Sequence, residues 1–414
     1  MCDTLAARGE YTLSENLVFG KNSDREPLEA QEIRHFPRKI YTEKSLQCTF
    51  ISIPKVQQTW EVFLSKPFQM WGAEMGVNEW GLTIGNEAVF TQVKFKKKNS
   101  GLTGMDLLRL SLERCKKADE AKNLIIQLLS SYGQDACGGY ENKNFFYHNS
   151  FLIADSKEAY ILETAGKSWA WKKIKSWASI SNCLSLDEDY DEIFLEKEAT
   201  HVSAIFRSKK GFKSRFSDFL YTYFSKANLR KATTEGLLKN QAGLLDNWKF
   251  MKALRTHNIP DDKFHPKNCA ASSICMHATG LTNPSDTTGS MVAEIRQNQP
   301  HTIWLTGTPH PCLSLYVPFY FGINSEFLTF PGSQLDDSLW WQAKKLHDLI
   351  DKNRNQLFPN IRKELDGIQK DWIKKDALII SNDSPLTERQ EFSQSCYQFY
   401  QNWIREKILS LSNS

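Results

Sequence analysis

The chain has 414 residues, of which 41% are hydrophobic and 24% are charged, and this composition excludes a chain dominated by disorder. The 52 basic residues nearly balance the 48 acidic residues, so the net charge of +4 does not indicate a nucleic-acid-binding protein. No apolar run reaches about 18 residues, and no basic segment followed by an apolar stretch opens the chain. The sequence therefore predicts neither an integral membrane segment nor a secretory signal.

The cysteines and histidines follow no spacing that is typical of a disulfide framework or a metal site. The nine cysteines are an odd number and contain no C-x-x-C pair, which favours a reducing compartment and a cytoplasmic location. The nine histidines contain no H-x-x-x-H pair, and we predict no metal site from them. The cysteines are Cys2, Cys48, Cys115, Cys137, Cys183, Cys269, Cys275, Cys312 and Cys396.

Short β-branched and aromatic runs, separated by turn residues, predict a series of strands in the first 185 residues. Within this region, leucines recur at helical spacing over 104–132 and predict a helix pair, with Asp119 as a cap between the two helices. Strands that enclose a helix pair indicate an α+β protein. The predicted strands are 16–20, 48–53, 81–86, 150–154, 159–163, 169–173 and 178–182.

The second half of the chain changes from strands to helices. A helical insertion is predicted near 186–268, with 218–225 and 234–245 as its better segments, and strands return at 289–296, 302–306 and 313–317. Apolar residues then recur at helical spacing to the end. We therefore predict one compact unit, with a core over 1–330 that contains the insertion and a C-terminal helical segment, 331–414, packed on it.

The first two predicted strands, 2–7 and 17–22, can form a hairpin that turns near residues 12 and 13. Antiparallel pairing then places residues whose numbers sum to about 25 opposite one another. Cys2 therefore faces residues 22–24. The register brings a thiol, a chain terminus, Lys21, Asn22 and Asp24 together.

This group of residues has the chemistry of a nucleophilic site. An ammonium such as Lys21 lowers the pKa of a neighbouring thiol, and the thiolate is the attacking species. Removal of Met1 exposes the amine of Cys2, whose reference pKa of about 7.7–8.0 suits a general base. Asp24 can hold that amine in one orientation. Each residue alone is more often incidental, and the joint placement opposite the N terminus favours a site.

Seven short segments carry a family resemblance that extends over about residues 1–320. They are FGKNSDR at 19–25, MWGAEMGVNE at 70–79, GNEA at 85–88, GMDL at 104–107, LET at 162–164, TGSM at 288–291 and TGTP at 306–309. In this order they resemble the secernins and, more widely, the C69 dipeptidases and the bile-salt hydrolase and penicillin V acylase relatives of the N-terminal-nucleophile (Ntn) hydrolases.

The resemblance implies a four-layer αββα sandwich whose mature chain begins with the nucleophile. Cys2 matches the nucleophile and Asp24 matches the residue that orients the amine. Lys21 matches a position that is usually Arg in the bile-salt hydrolases. Because Lys is a point charge and Arg a bidentate fork, the hydrogen bonds at this position cannot be identical.

Three further residues take their roles only from the resemblance. Asn182 matches the asparagine of the oxyanion hole, and Asn86 lies in the strand that supplies the other oxyanion donor. Arg215 resembles the distal arginine that supports the nucleophile. An amide aimed at the developing oxyanion is reasonable chemistry, since loss of one such donor typically costs about 10²–10³ in rate.

Substrate contacts are predicted from two aromatic or proline-rich segments. Trp71 and Glu74 can line a pocket in which the carboxylate binds a substrate amine, although a structural hydrogen bond explains Glu74 equally well. His310 lies between Pro309 and Pro311, in what we interpret as a rim loop that contacts substrate.

The sequence thus predicts an N-terminal cysteine amidohydrolase that cleaves a small peptide or amide bond, in the manner of a dipeptidase, through a Cys2 thioester. The chemistry requires no cofactor, and the partner is a small amide or peptide substrate. Self-association into a homo-oligomer stays open. The alternative is a catalytically inactive, secernin-type regulatory protein of exocytosis or trafficking. A third hypothesis is acyl transfer to an amine.

Overall fold

The computed structural model describes residues 1–196, 210–280 and 283–412. In this part of the chain, one antiparallel sheet has six strands in the order β14-β1-β2-β16-β17-β18. Strands β1 and β2 form a hairpin at the centre of this sheet. Strands from much later in the sequence pair with its two outer edges, β14 with β1 and β16 with β2. The six strands are β1 (Cys2–Ala7), β2 (Leu17–Arg25), β14 (Trp177–Ser181), β16 (Asp286–Ile295), β17 (Thr302–Leu305) and β18 (Val317–Phe319).

A second antiparallel sheet has eight strands in the order β15-β13-β12-β11-β10-β9-β8-β3. These are β3 (Gln31–Phe36), β8 (Val62–Pro67), β9 (Met75–Asn78), β10 (Thr83–Val89), β11 (His148–Ala154), β12 (Ala159–Ala165), β13 (Ser168–Ile174) and β15 (Glu192–Phe194). Two small ribbons complete the strands: β4 (Lys39–Ile40) with β7 (Gln58–Thr59), and β5 (Ser45–Gln47) with β6 (Ser52–Pro54).

Nine α-helices occur in the described ranges. They are α1 (Gly104–Arg114), α2 (Ala118–Tyr132), α3 (Phe212–Phe216), α4 (Phe219–Phe224), α5 (Ala227–Asn240), α6 (Asn247–Leu254), α7 (Leu339–Lys352), α8 (Arg354–Ser381) and α9 (Leu386–Ser412). None of the helices in this part of the protein is long and apolar enough to cross a bilayer.

The two sheets pack face to face, and helices cover both outer faces. The inner core joins Phe19 of β2 to Leu152 of β11, both fully buried. Leu108 of α1 packs with Phe151 on the outer face of the eight-stranded sheet. Phe250 of α6 packs with Val18 on the outer face of the six-stranded sheet. This arrangement confirms the predicted α+β, αββα sandwich, because alternate strand residues face opposite cores.

The C-terminal helices extend the inner core, as expected for a helical segment packed on the sandwich. Leu346 of α7 and Tyr400 of α9 are fully buried in the same cluster as Phe319 of β18. The predicted helical insertion contains α3 to α6, whereas residues 197–209 lie outside the described residues. The domain boundary near residue 330 stays a prediction.

Three local predictions are wrong. Residues 48–53 are mostly a turn between β5 and β6, and the strand predicted at 313–317 is mainly an irregular connection, 314–316, between the 3-10 turn Pro311–Leu313 and β18. Asp119 lies in the first turn of α2 and does not cap it, since the N-cap is Lys117. In the two strand predictions, a short apolar run fits a turn as well as a strand, so periodicity could not separate them.

Candidate active site

Cys2 lies at the start of a central strand, where it meets the end of β2. The pairs Cys2↔Ser23 and Thr4↔Lys21 have numbers that sum to 25, so the predicted hairpin register is confirmed. On its other side β1 pairs with β14, with Asp3 opposite Ser181. Cys2 is therefore held by strands on both sides, and its residue surface is only 5% exposed.

Lys21 is fully buried below the thiol and is surrounded by acceptors. Its Nζ donates to the Asn86 carbonyl at 2.6 Å and lies 3.3 Å from Oε1 of Glu87 and 3.7 Å from Oε2 of Glu74. Burial opposes the charged form, but Cys2, Glu87 and Glu74 outweigh burial and raise the pKa of Lys21. The residue is therefore an ammonium, paired with two carboxylates.

The Cys2 thiol lies among both activating and opposing groups. The Asp24 backbone N–H donates to Sγ at 3.4 Å, and Oε2 of Glu74 lies 3.9 Å from Sγ. Burial raises the pKa of Cys2 to about 12, although Lys21 acts to lower it. Lys21 thus acts on the thiol pKa in the predicted direction, but desolvation and the Glu74 charge exceed its effect, so the net pKa is raised.

With Met1 in place, the chain terminus lies over the nucleophile. The Met1 ammonium donates to the Asp24 carbonyl at 3.0 Å, and the Cys2 backbone N–H donates to Oδ1 of Asn182 at 2.6 Å. After removal of Met1, the Cys2 nitrogen becomes the terminal amine at this position. The acceptor that holds it is then Asn182, whereas we had predicted Asp24.

The Asp24 carboxyl is directed toward β16. Its Oδ1 accepts from the Thr287 hydroxyl at 2.5 Å, and its Oδ2 is buried without a hydrogen-bond partner in the described ranges. Burial raises the pKa of Asp24 to about 7, although the nearby terminal ammonium acts to lower it. Asp24 thus contacts the residues at the N terminus through its backbone and titrates near neutrality.

Asn182 follows β14 directly and has a defined amide orientation. Its Oδ1 accepts from the Cys2 nitrogen and from Nη2 of Arg230, each at 2.6 Å. Because both partners are donors, the oxygen must face them and Nδ2 must face the Ala88 carbonyl, to which it donates at 2.8 Å. One Nδ2 hydrogen is left for a developing oxyanion.

Sequence reasoning missed Arg230, which is fully buried on α5. Its Nε lies 2.9 Å from Oδ2 of Asp3, and its Nη2 also donates to the Ser181 hydroxyl at 3.1 Å. The predicted distal arginine, Arg215, lies on α3 and is not among the residues that line the cavity beside Cys2. Among the described residues, the guanidinium that supports Asn182 therefore comes from Arg230.

Two of the other predicted residues belong to this site. Glu74 is buried beside Cys2. Its carboxylate is already paired with Lys21 and with Nη1 of Arg25, 3.1 Å away, and is therefore less suited to bind a substrate amine. Asn86 contacts the site through its backbone. Its carbonyl accepts from Nζ of Lys21, and its N–H donates to the backbone carbonyl of Glu74. Ala88, two residues further along β10, borders the cavity.

The other two residues lie elsewhere. Trp71 packs in the outer cluster, where the Arg109 guanidinium lies 4.2 Å from its ring, because helix α1 covers that face of the sheet. His310 is buried rather than on a rim: its ring stacks on His277 at 4.1 Å, and its Nε2 lies 3.2 Å from Asp286. Both predictions as substrate contacts are wrong, because a single sequence does not show which face of an element a neighbour covers.

A cavity of about 250 Å³ opens over Cys2. Its floor is polar, whereas much of its wall is aromatic and includes Tyr221 of α4, which stacks on Phe90 with a centroid distance of 4.9 Å. The cavity can therefore receive a small apolar group next to the thiol. It is lined by Met1, Cys2, Asp24, Arg25, Glu74, Ala88, Phe90, Phe145, Tyr147, Asn182, Tyr221, Phe224, Ser225, Pro284 and Ser285.

Comparison with protein families gives a match to the first part of the chain. Residues 13–163 match the family described as Acyl-coenzyme A:6-aminopenicillanic acid acyl-transferase. The matched range runs from just before β2 into β12 and contains Lys21, Asp24 and Glu74. This part of the chain is therefore similar to an acyl-transferase family.

Solved structures with partial similarity include several amidohydrolases. The C2A mutant of conjugated bile acid hydrolase from Clostridium perfringens has 13% identity and a TM-score of 0.43, over 73% of this chain and 88% of that one. Penicillin V acylase from Agrobacterium tumefaciens has 10% identity and a TM-score of 0.40, over 81% and 92%. The Caenorhabditis elegans ortholog of N-acylethanolamine-hydrolyzing acid amidase has 12% identity and a TM-score of 0.38, over 70% and 92%.

Proposed function

We propose that the chain, after removal of Met1, is an N-terminal cysteine amidohydrolase that cleaves a small amide or peptide bond. The observation that carries this proposal is the position of the Cys2 nitrogen, 2.6 Å from Oδ1 of Asn182. At this position a terminal amine is oriented next to its own thiol at the floor of a cavity. The match of residues 13–163 to an acyltransferase family supports the same chemistry.

The amine is needed because the thiol does not ionise by itself near neutral pH. Burial raises the pKa of Cys2 to about 12, so a preformed thiolate is scarce despite Lys21. A terminal amine with a reference pKa of about 7.7–8.0 can take the thiol proton as Sγ attacks the carbonyl carbon. Lys21 then stabilises the sulfur anion as it forms, which is an effect on the transition state.

The remaining steps use groups that already lie around Cys2. The free Nδ2 hydrogen of Asn182 can donate to the oxyanion of the tetrahedral intermediate. Collapse of this intermediate breaks the C–N bond, and the leaving nitrogen takes the proton held by the Cys2 amine. The acyl group remains on Sγ as a thioester. Water, deprotonated by the same amine, then releases the acid and regenerates the thiol.

The walls of the cavity favour a substrate with an apolar acyl group. Phe90, Phe145 and Tyr221 offer ring surface, whereas Glu74 and Arg25 are paired with each other at 3.1 Å. A small N-acyl amide with an aromatic or aliphatic acyl group fits this description best, whereas the ammonium on the acyl group of a dipeptide would have to share the Glu74 carboxylate with Lys21 and Arg25. Strongly charged acyl groups do not, since burial of an unpaired charge is costly.

Intact mass spectrometry of the natural protein tests the first requirement, and we expect a chain that begins at an unblocked Cys2. Incubation with aromatic N-acyl amides and dipeptides should add the acyl mass to Cys2 and release the amine. Cys2→Ala should lose both signals. Cys115→Ser, which changes a buried thiol in the outer cluster, should keep both. A processed, folded protein that forms no acyl adduct with any of these compounds would contradict the proposal.

A second candidate is the non-catalytic regulatory protein of secernin type. This candidate requires that Met1 is retained, since the Cys2 nitrogen is then an amide and cannot act as a base. Retained Met1 or an acetylated Cys2 in the natural protein would put this candidate first. Acyl transfer is distinguished from hydrolysis by adding a competing amine, since an acyltransferase makes the new amide in preference to the acid.

A further inference from the structure

Four buried side chains meet between helix α6, the segment before β16 and the 3-10 turn Pro311–Leu313. They are His257, Cys275, His277 and Cys312, and each offers a nitrogen or sulfur atom within 4.8 Å of the other three. None of them lines the cavity over Cys2. We propose that these four residues bind one zinc ion in a closed, tetrahedral site.

The distances around His277 fit this geometry. Its Nε2 lies 3.7 Å from Sγ of Cys275 and 3.4 Å from Sγ of Cys312. Zinc–sulfur bonds of about 2.3 Å and zinc–nitrogen bonds of about 2.0–2.1 Å place two tetrahedral ligands of these types about 3.6 Å apart. The widest separation, 4.8 Å, exceeds the sulfur–sulfur distance of about 3.8 Å in such a site, so one ligand has to move inward by roughly 1 Å.

The backbone supplies ligands from both sides of the proposed ion. Cys275 and His277 are two residues apart on the segment before β16, and this spacing leaves Nε2 of His277 3.7 Å from Sγ of Cys275. Cys312 approaches from the 3-10 turn, and His257 approaches from the chain that follows α6. Two thiolates and two neutral imidazoles are the donor set that prefers zinc among divalent ions.

Contacts outside the four ligands support the same assignment. Oδ1 of Asp261 lies 2.7 Å from Nδ1 of His257, which directs the lone pair of Nε2 toward the cluster. Nε2 itself is buried without a hydrogen-bond partner in the described part of the chain. A buried unsatisfied nitrogen is costly in a folded protein, and a metal ion removes that cost. Two thiolates also neutralise the charge of Zn²⁺, so the loaded site carries no net charge into the core.

The site is connected to the candidate active site by one residue. Met276 lies between two proposed ligands, and its backbone N–H donates to the Thr287 hydroxyl at 2.8 Å. That hydroxyl donates to Asp24 at 2.5 Å. A bound ion would therefore fix the segment that positions Asp24, although the zinc proposal does not depend on catalysis by Cys2.

Metal analysis of the full-length protein, purified under reducing conditions without chelator, tests the proposal. We expect one zinc per chain by inductively coupled plasma mass spectrometry. Cys275→Ser and Cys312→Ser should lower the content at least tenfold at equal protein concentration. Cys115→Ser, a buried thiol on the other side of the eight-stranded sheet, is the matched control and should keep one zinc.

Cobalt(II) alone provides a readout that does not depend on the variants. Addition of Co²⁺ to the metal-free wild-type protein should give the visible bands of tetrahedral cobalt and a sulfur-to-cobalt band in the near ultraviolet. Folded wild-type protein that binds neither ion, as judged with circular dichroism, overturns the proposal. The proposal is also overturned if Cys275 and Cys312 form a disulfide. Such a bond lowers the protein mass by two units in the absence of reductant, and its reduction restores the mass without any gain of metal.

Discussion

The guanidinium of Arg230 donates to Oδ1 of Asn182 at 2.6 Å, and the same oxygen accepts from the Cys2 nitrogen. One side-chain oxygen therefore links the nucleophile's own residue to a helix from the insertion. Because the two donors fix the amide, the other end of Asn182 can face only Ala88 and the cavity. The geometry of the proposed nucleophile and that of the proposed oxyanion donor thus depend on a single arginine.

Arg230→Met is expected to reduce both stability and activity. It leaves the fully buried Asp3 carboxylate without its partner at 2.9 Å, so the free energy of unfolding should fall by about 3–5 kcal/mol. The Asn182 amide also loses its fixed orientation, and turnover should fall toward the 10²–10³-fold loss typical of a missing oxyanion donor. Urea unfolding and initial rates measure the two effects.

Arg38→Met is the control for Arg230→Met, because Arg38 pairs with Glu79 on the surface and its side chain is 47% exposed. An exposed pair contributes little, so its stability and rate should match the wild-type values. Equal unfolding curves for Arg230→Met and Arg38→Met would show that Asp3 does not depend on Arg230.

Glu74→Gln is expected to make the Cys2 thiol more reactive. The substitution removes a negative charge 3.9 Å from Sγ, and a thiol pKa falls when a nearby anion is lost. Lys21 keeps Glu87 at 3.3 Å as its partner and stays charged. At limiting iodoacetamide near pH 8, peptide mass spectrometry should therefore show faster labelling of Cys2.

Glu113→Gln provides the comparison for Glu74→Gln, since Glu113 is also a buried carboxylate paired with an arginine, Arg109, at 2.7 Å. It lies on α1, away from the cavity, and its loss should not change the labelling of Cys2. Slower labelling in Glu74→Gln would mean that the carboxylate serves mainly to hold Lys21 in place.

Asp24→Asn is expected to change the pH dependence of stability. Burial raises the pKa of Asp24 to about 7, so the folded state binds a proton more tightly than the unfolded state. The stability linked to this proton is complete below about pH 4 and is lost as the pH rises to about 7. Relative to wild type, the free energy of unfolding of Asp24→Asn should therefore rise by up to about 4 kcal/mol across this interval, as measured by chemical denaturation.

Glu294→Gln should show the opposite sign. Burial raises the pKa of Glu294, but Arg296 and three polar side chains outweigh burial and lower it. The stability linked to Glu294 is complete above its unfolded pKa of about 4.5 and is lost as the pH falls below that value, so the variant should lose its disadvantage only in this more acidic range. Parallel pH profiles for the two variants would contradict both assignments.

Gly85→Ala tests how closely the second sheet approaches the site. A Cβ atom at residue 85 would lie 2.8 Å from Cδ of Lys21 and 2.9 Å from Oγ1 of Thr4. Both neighbours are buried, so the added methyl should displace the ammonium, slow the reaction and lower the melting temperature. Gly236→Ala has open space around its Cβ position within α5 and should be stabilising by about 0.5–1 kcal/mol.

The parts of the site that are close in sequence could be predicted, and the parts supplied by distant elements could not. The register of β1 and β2 follows from the midpoint of the connection between them, so the position of Cys2 opposite Ser23 was available from residue numbers alone. Asn182 was found only through resemblance. Arg230 lies in a basic helical segment with several other cations, and the partner that distinguishes it, Asp3, is 227 residues away.

Prediction of the fold succeeded for the layers and failed for individual turns. Alternating strands around a helix pair indicated an α+β protein, and the arrangement of two sheets with helices outside them was implied only by the family resemblance. Strands β3 and β8 were not predicted, because their polar residues, such as Glu32 and Lys66, are buried by pairing with each other at 2.7 Å. A hydrophobic pattern cannot detect burial that depends on an ion pair between strands.

The position of Met1 limits the stage of folding at which a protease can remove it. Its ammonium is bonded to Asp24 inside the cavity, and β1 lies between β2 and β14. A protease that removes Met1 needs the first residues as an extended, free peptide, which the finished sandwich does not offer. Strand β14 begins at Trp177, so ribosomes must synthesise well over a third of the chain before that edge of β1 is covered. The removal of Met1 that the proposed function requires is therefore expected on the nascent chain, before β1 is enclosed.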